Sequence, residues 1–234
     1  MLNPSFERVK EVFDQWAMYS AVVQADYMAH KELAAALADW ASKQTTSLRI
    51  LDLGCSDAWL ATRAFRDADV ECYRGVDVSD SSVERARNNV ACWQGRAEVV
   101  IGNLADVLAA TPADSATVVL ASYSLHHFLA DDKVKLIADI HRVLAPGGTF
   151  VWIDPVCNEG ESRDAYVARL THTMENDWIA LTLDQRDKAC THVRESDYPE
   201  TGRWMLDHVR AAGFHRTVPV LHNDFFEGWA FTRN

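Results

Sequence analysis

Apolar residues recur three and four positions apart through residues 5–43, as Val9, Val12, Phe13 and Trp16, then Ala21, Ala25, Met28, Leu33 and Leu37. That is the spacing of one helix face, and neither Gly nor Pro interrupts it. The pattern then changes to short apolar runs at Leu48–Leu53, Cys72–Val78, Ala97–Ile101, Thr117–Ala121 and Thr149–Ile153. Each of the first four leads through a polar or small-residue turn into helical spacing, for example Trp59–Phe65, Ser82–Val90 and Val134–Leu144. The last of these is closed by Ala145-Pro146-Gly147-Gly148, a helix stop and turn. Strands alternating with helices predict right-handed crossovers and a mostly parallel sheet covered by helices on both faces.

The alternation stops after the fifth strand. Residues 157–195 form a long, mostly polar helical stretch carrying Tyr166, Leu170, Trp178, Leu181 and Leu183. Thr201–Ala212 is a further helix closed by Gly213, and Thr217–Leu221 with Gly228–Phe231 predict an antiparallel pair. No repeat and no linker divides the 234 residues, so one domain is expected, with helical additions at residues 1–44 and 156–197.

Composition narrows the function. With 48% hydrophobic residues the chain can build its own core, and a net charge of −11 disfavours nucleic acid as a partner. The densest basic stretch, Arg63–Arg66, is broken by Ala64 and Phe65. Five scattered cysteines form no CxxC pair, so neither a disulfide framework nor a metal site is expected. Residues 1–20 carry Glu7, Lys10, Glu11 and Asp14, which interrupt any signal-peptide core, and Leu33–Ala41 is too short to span a bilayer. A cytoplasmic protein without membrane contact is expected; the sequence leaves the oligomeric state open.

The chemistry gathers at strand tips. Leu48–Leu53 ends in Asp52-Leu53-Gly54-Cys55-Ser56-Asp57-Ala58, where Gly54, Ser56 and Ala58 let a ligand lie against the backbone. Asp77 follows Asp52 by 25 residues, at the tip of the second strand. A carboxylate there can accept hydrogen bonds from both hydroxyls of a ribose. Asn103 follows the third strand, where an amide offers adenine both a donor and an acceptor. The G-x-G-x-x-G signature of nicotinamide binding is missing.

Leu51-Asp52-Leu53-Gly54-Cys55, Asp77, Asn103, the segment Ser122-Tyr123-Ser124-Leu125-His126-His127-Phe128 and Leu144–Gly148 together resemble the successive motifs of class I S-adenosylmethionine-dependent methyltransferases of the small-molecule type. The resemblance covers residues 45–155 closely and implies a Rossmann-like, seven-stranded, mostly parallel α/β sheet with its last strand antiparallel. It also implies an amino-terminal helical lid and a helical insert after the fifth strand. The cofactor implied is S-adenosylmethionine, leaving as S-adenosylhomocysteine. Asp52, Gly54 and Ser56 would then shape the pocket for its methionine part, Asp77 with Val78 would meet the ribose, and Asn103 with Leu104 would hold adenine. Ser122 and Tyr123 would lie along the cofactor. Phe13-Asp14-Gln15-Trp16-Ala17-Met18-Tyr19 resembles the lead-in of many such enzymes, which makes Tyr19 the candidate lid contact.

Methyl transfer from a sulfonium is an in-line displacement that mainly needs orientation in a dry pocket. A general base is needed only where the nucleophile arrives protonated, and His126, His127 and Asp154 are the candidates. The acceptor expected is a nucleophilic atom, N, O or other, of a small molecule. Two alternatives stay open: an enzyme that modifies the cofactor itself, as carboxy-S-adenosylmethionine synthases do, and a non-catalytic cofactor-binding domain.

Overall fold

The computed structural model describes residues 16–234; Phe13, Asp14 and Gln15 of the lead-in lie outside them. Within the described part of the helical pattern, from residue 16 on, lie α1 (Trp16–Ala25) and α2 (His30–Ser42). Asp26 and Ala29 separate them, both in the left-handed region at φ 62° and 55°. The Asp26 carboxylate accepts a hydrogen bond from the Lys31 amide at 2.9 Å, so the break carries its own local support.

The strands follow as β1 (Leu48–Leu53), β2 (Val70–Asp77), β3 (Ala97–Ile101), β4 (Ala116–Ser122), β5 (Leu144–Cys157), a two-residue β6 (Glu200–Thr201), β7 (Phe214–His222) and β8 (Phe226–Arg233). Between them run α3 (Trp59–Ala64), α4 (Asp80–Asn89), α5 (Leu104–Ala110), α6 (Ala130–Val143), α7 (Arg163–Asp177), α8 (Leu183–Ser196) and α9 (Gly202–Ala211). The sheet order is β3-β2-β1-β4-β5-β8-β7, with β6 added beside β5. β1 to β5 are parallel neighbours, and β8 alone is reversed, antiparallel to both β5 and β7. The expected sheet with an antiparallel last strand is therefore present. Its direction of winding changes between β1 and β4, which opens a crevice at the carboxyl ends of those strands.

Strand residues alternate between two cores. Ile50, Val118, Leu120, Val151 and Ile153 pack on the face covered by α2 and α3, while Leu51, Leu53, Val119, Phe150 and Trp152 pack on the α6 and α9 face. Both faces are buried because parallel crossovers put helices on each. A third cluster lies apart from these two. Met18 and Val22 of α1 pack with Tyr166, Leu170 and Met174 of α7 and with Ala189, Cys190 and Val193 of α8. Thus α2 is a wall of the sheet, whereas α1 belongs with the insert in a separate helical cap.

Two predicted boundaries move. Ala145-Pro146-Gly147-Gly148 lies within β5: Leu144 pairs with Ala116 and Thr149 with Val118, so the turn persists as a bulge. The single helical stretch at 157–195 is two helices, the second started by a capping box between Thr182 and Gln185.

Candidate active site

At the tip of β1 the chain turns sharply into α3. Gly54 sits at φ 78°, and a Cβ there would come within 2.6 Å of the Ser124 Cβ. Its amide and that of Cys55 both donate to the Val76 carbonyl, at 2.9 and 3.0 Å, which ties the loop to β2. Ser56 and Ala58 occupy left-handed positions too, at φ 47° and 58°. The loop thus keeps the geometry that glycine would favour although the sequence supplies Ser and Ala. Gly54→Ala combines a positive φ with a steric clash, and is expected to destabilise the fold by about 2–5 kcal/mol in denaturant titrations.

The loop is held from the second strand. Asp77 ends β2, and its two carboxylate oxygens accept the amides of Ser56 at 2.8 Å and Ser79 at 2.9 Å. Ser79, not Asp77, caps α4. Asp52 is buried and accepts from the Tyr73 hydroxyl at 2.8 Å; burial pushes its carboxyl up to about 7. Tyr19 of α1 lines the cavity with Ser56, and burial, reinforced by Asp57, Asp77 and Asp52, pushes its phenol upward.

These groups border one cavity of about 190 Å³, more than ten times the space a buried water needs. Asp52, Gly54, Ser56, Asp77, Val78 and Leu104 line it at one end, with Tyr19, Ser122 and Tyr123 along its side. Among the described residues lining it there is no Lys or Arg. Carboxylates without basic neighbours favour a ligand that is net cationic, and S-adenosylmethionine carries a sulfonium and an ammonium against one carboxylate. The close approach at Gly54 and the acceptors of Asp77 fit the same group.

Asn103 departs from its expected role. Its side-chain oxygen accepts the Ala105 amide at 2.8 Å and caps α5, and it does not line the cavity, whereas its neighbours Gly102 and Leu104 do. An amide just before a helix finds an unsatisfied backbone donor close at hand. Gly102 and Leu104 give this part of the cavity backbone and apolar wall.

The other end of the cavity is richer than expected. His126 and His127, on a short 3-10 turn after β4, are both buried, with ring centroids 3.9 Å apart. His126 Nδ1 faces Asp154 Oδ1 at 2.7 Å, and the other oxygen of Asp154 accepts the Trp152 indole N–H at 2.7 Å. Asp154 thus positions His126 from behind without lining the cavity itself. Burial holds both imidazoles well below their ordinary value, so they are neutral near pH 7, and pushes Asp154 up to about 7. His192 of α8 and Asp197 just beyond it complete this end. Sequence reasoning missed both, because their partners lie some 70 residues earlier in the chain. Trp178 also lines the cavity and stacks on Tyr27 at 4.8 Å, with its rings 3° from parallel.

Residues 50–148 match a family described as a methyltransferase domain. Among curated proteins, the carboxy-S-adenosyl-L-methionine synthase of Shewanella sediminis is 25% identical over 187 residues, covering 77% of this chain and 75% of that protein. The synthase of Mannheimia succiniciproducens is 26% identical over 209 residues, covering 87% and 83%. Among solved structures, the YcgJ protein from Bacillus subtilis superposes with a TM-score of 0.60 at 16% identity, over 87% of this chain and 98% of that one. An O-methyltransferase family protein from Burkholderia thailandensis gives 0.60 at 18%, over 86% and 56%. At such identities the two structures bear on the fold alone. The matched domain runs from β1 into the start of β5 and includes Asp52 and Asp77, whereas the two synthase matches cover 77% and 87% of the chain. Residues 50–148 are thus similar to a methyltransferase domain, and the chain shares its fold with solved S-adenosylmethionine-dependent methyltransferases.

Proposed function

We propose that the enzyme transfers the methyl group of S-adenosylmethionine to a nucleophilic atom of a small molecule seated against His126 and His127. The observation that carries this reading is the single cavity with two unlike ends, one acidic with a glycine cradle, the other imidazole-rich. Asp52, Gly54 and Ser56 take the methionine part, Asp77 and Val78 the ribose, and Leu104 the adenine. Tyr19, Ser122 and Tyr123 flank the sulfonium. His126, positioned by Asp154, meets the nucleophile, with His127 beside it. Leu170, Met174 and Trp178 give the acceptor an apolar wall, which suits a metabolite enclosed beneath the helical cap. No described helix is long and apolar enough to cross a membrane, and a net charge of −11 disfavours nucleic acid. Both support a water-soluble acceptor met in the cytoplasm.

The curated relatives favour a second reading, carboxylation of the cofactor. That product adds a carboxylate, and the absence of Lys or Arg among the described lining residues supports methyl transfer over it. Incubation with S-adenosylmethionine and a panel of metabolite classes separates the two by product mass. Release of S-adenosylhomocysteine with a methylated acceptor supports the proposal; a carboxylated cofactor, or no turnover with any class, overturns it.

Asp77→Ala is expected to weaken S-adenosylhomocysteine binding by about 1.5–3 kcal/mol, the range for hydrogen bonds to a charged group. Calorimetry on the folded variant checks this; unchanged affinity would leave Asp77 as only a brace for the Ser56 and Ser79 amides.

A further inference from the structure

The Asp197 carboxylate ends α8 deep in the cap, 4% exposed. Its Oδ1 stands 3.6 Å from His126 Nε2, 3.6 Å from His127 Nδ1 and 3.7 Å from His192 Nε2, yet no hydrogen bond reaches that oxygen. A buried carboxylate oxygen surrounded by imidazoles at this range is a costly arrangement on its own. For His126 Nε2 and Asp197 Oδ1 it is the spacing of groups around a shared ion: donors each about 2.0–2.2 Å from a metal lie roughly 3–3.6 Å from one another. One donor atom each from His126, His127 and Asp197 falls within 4.8 Å of the others, all three residues are buried, and all three line the cavity.

We propose that His126, His127 and Asp197 bind a divalent transition-metal ion at the acceptor end of the cavity. Two imidazoles and one carboxylate, with the remaining positions open to the cavity, suit zinc, ferrous iron or cobalt. The surroundings are those of a ligand set. Asp154 holds His126 Nδ1 at 2.7 Å, which turns Nε2 toward Asp197, as outer carboxylates do for metal-bound histidines. The Ser196 carbonyl meets His127 Nδ1 at 3.1 Å, so the donor this ring offers an ion is Nε2 rather than the Nδ1 that stands 3.6 Å from Asp197. His192 stands beside the site, its ring 5.1 Å from that of His127, within reach of a water on the ion. Two carboxylates, Asp197 and Asp154, balance a dication, while the nearby Lys133 is committed to Glu200 at 3.0 Å. The donors come from a turn after β4 and from the end of α8, so no compact sequence motif announces them.

An ion here would ligate an acceptor oxygen and lower its pKa beside the methyl group. That consequence rests on the proposed methyl transfer; ion binding itself does not. The test is titration of the chelator-stripped protein with Co²⁺, followed by its visible absorption, and with Zn²⁺, followed by calorimetry and elemental analysis. One ion per chain with imidazole-type Co²⁺ bands is expected, and His127→Ala and Asp197→Asn should each weaken binding at least about tenfold. S-adenosylhomocysteine titrated into the stripped protein is the separate readout of the cofactor site. Absence of stoichiometric Co²⁺ and Zn²⁺ binding by the wild-type protein overturns the proposal, whether or not the variants fold. So does binding that survives both substitutions, whereas failure of S-adenosylhomocysteine alone strikes only at the cofactor assignment.

Discussion

His126→Gln is expected to lower methyl transfer about 10²–10⁴-fold, the usual contribution of a group that handles the reacting proton, with S-adenosylhomocysteine affinity changed less than about twofold. The side chain lies at the far end of the cavity from Asp77, so cofactor binding has little to lose. Its imidazole is fixed in one orientation, because the Asp154 carboxylate holds Nδ1 on one oxygen and the Trp152 indole on the other. Buried and neutral, it offers an unprotonated Nε2 at the acceptor end, either to take a proton or to ligate an ion that displaces one. Asp154→Asn keeps an acceptor for Trp152 while weakening the grip on His126, and should reproduce part of the loss. The signature in both variants is a fall in kcat with KM little changed. Transfer within tenfold of wild type in a folded His126→Gln protein would mean that the imidazole only shapes the wall, and that the nucleophile arrives already deprotonated.

The cofactor end was largely legible in the sequence, and the acceptor end was not. Asp52, Gly54 and Asp77 line the cavity, because a strand followed by a tight turn fixes where the last residue points. The Gly54 loop even keeps its left-handed turns at Ser56 and Ala58, since hydrogen bonds to Val76 and Asp77 impose them. Asn103 is turned to its own helix for a local reason. The backbone donors at the start of α5 lie closer to its amide than the cavity does. His192 and Asp197 were missed for a non-local one. They meet His126 and His127 only after α7 and α8 fold back over β4 and β5, and neither periodicity nor spacing along the chain encodes that packing. The same holds for α2. Its apolar face resembles that of α1 in sequence, yet Leu33 and Leu37 are fully buried in the sheet's own core.

Because α1 packs with the insert rather than with the sheet, removal of residues 1–25 is expected to cut methyl transfer by about 10²-fold or more while the sheet remains folded. Met18 and Val22 close one side of the cavity, and Tyr19 lines it together with Ser56. Without them water reaches the sulfonium and the donor loses its orientation, the two losses that closing elements normally prevent. What remains has its own supports. Leu33 and Leu37 keep α2 on the sheet, the Tyr123 hydroxyl still donates to the Met28 carbonyl, and Tyr27 still stacks on Trp178. Far-UV circular dichroism should therefore stay close to that of the full chain. The full-length protein offers the complementary measurement. A cap helix must open to admit a cofactor as large as S-adenosylmethionine, so amides of residues 18–25 should exchange faster than those of β1 and β4 in the absence of ligand. They should slow when S-adenosylhomocysteine binds. Exchange as slow as in the central strands, unchanged by ligand, would make α1 a fixed wall, and the route into the cavity would then have to open between α7 and α8.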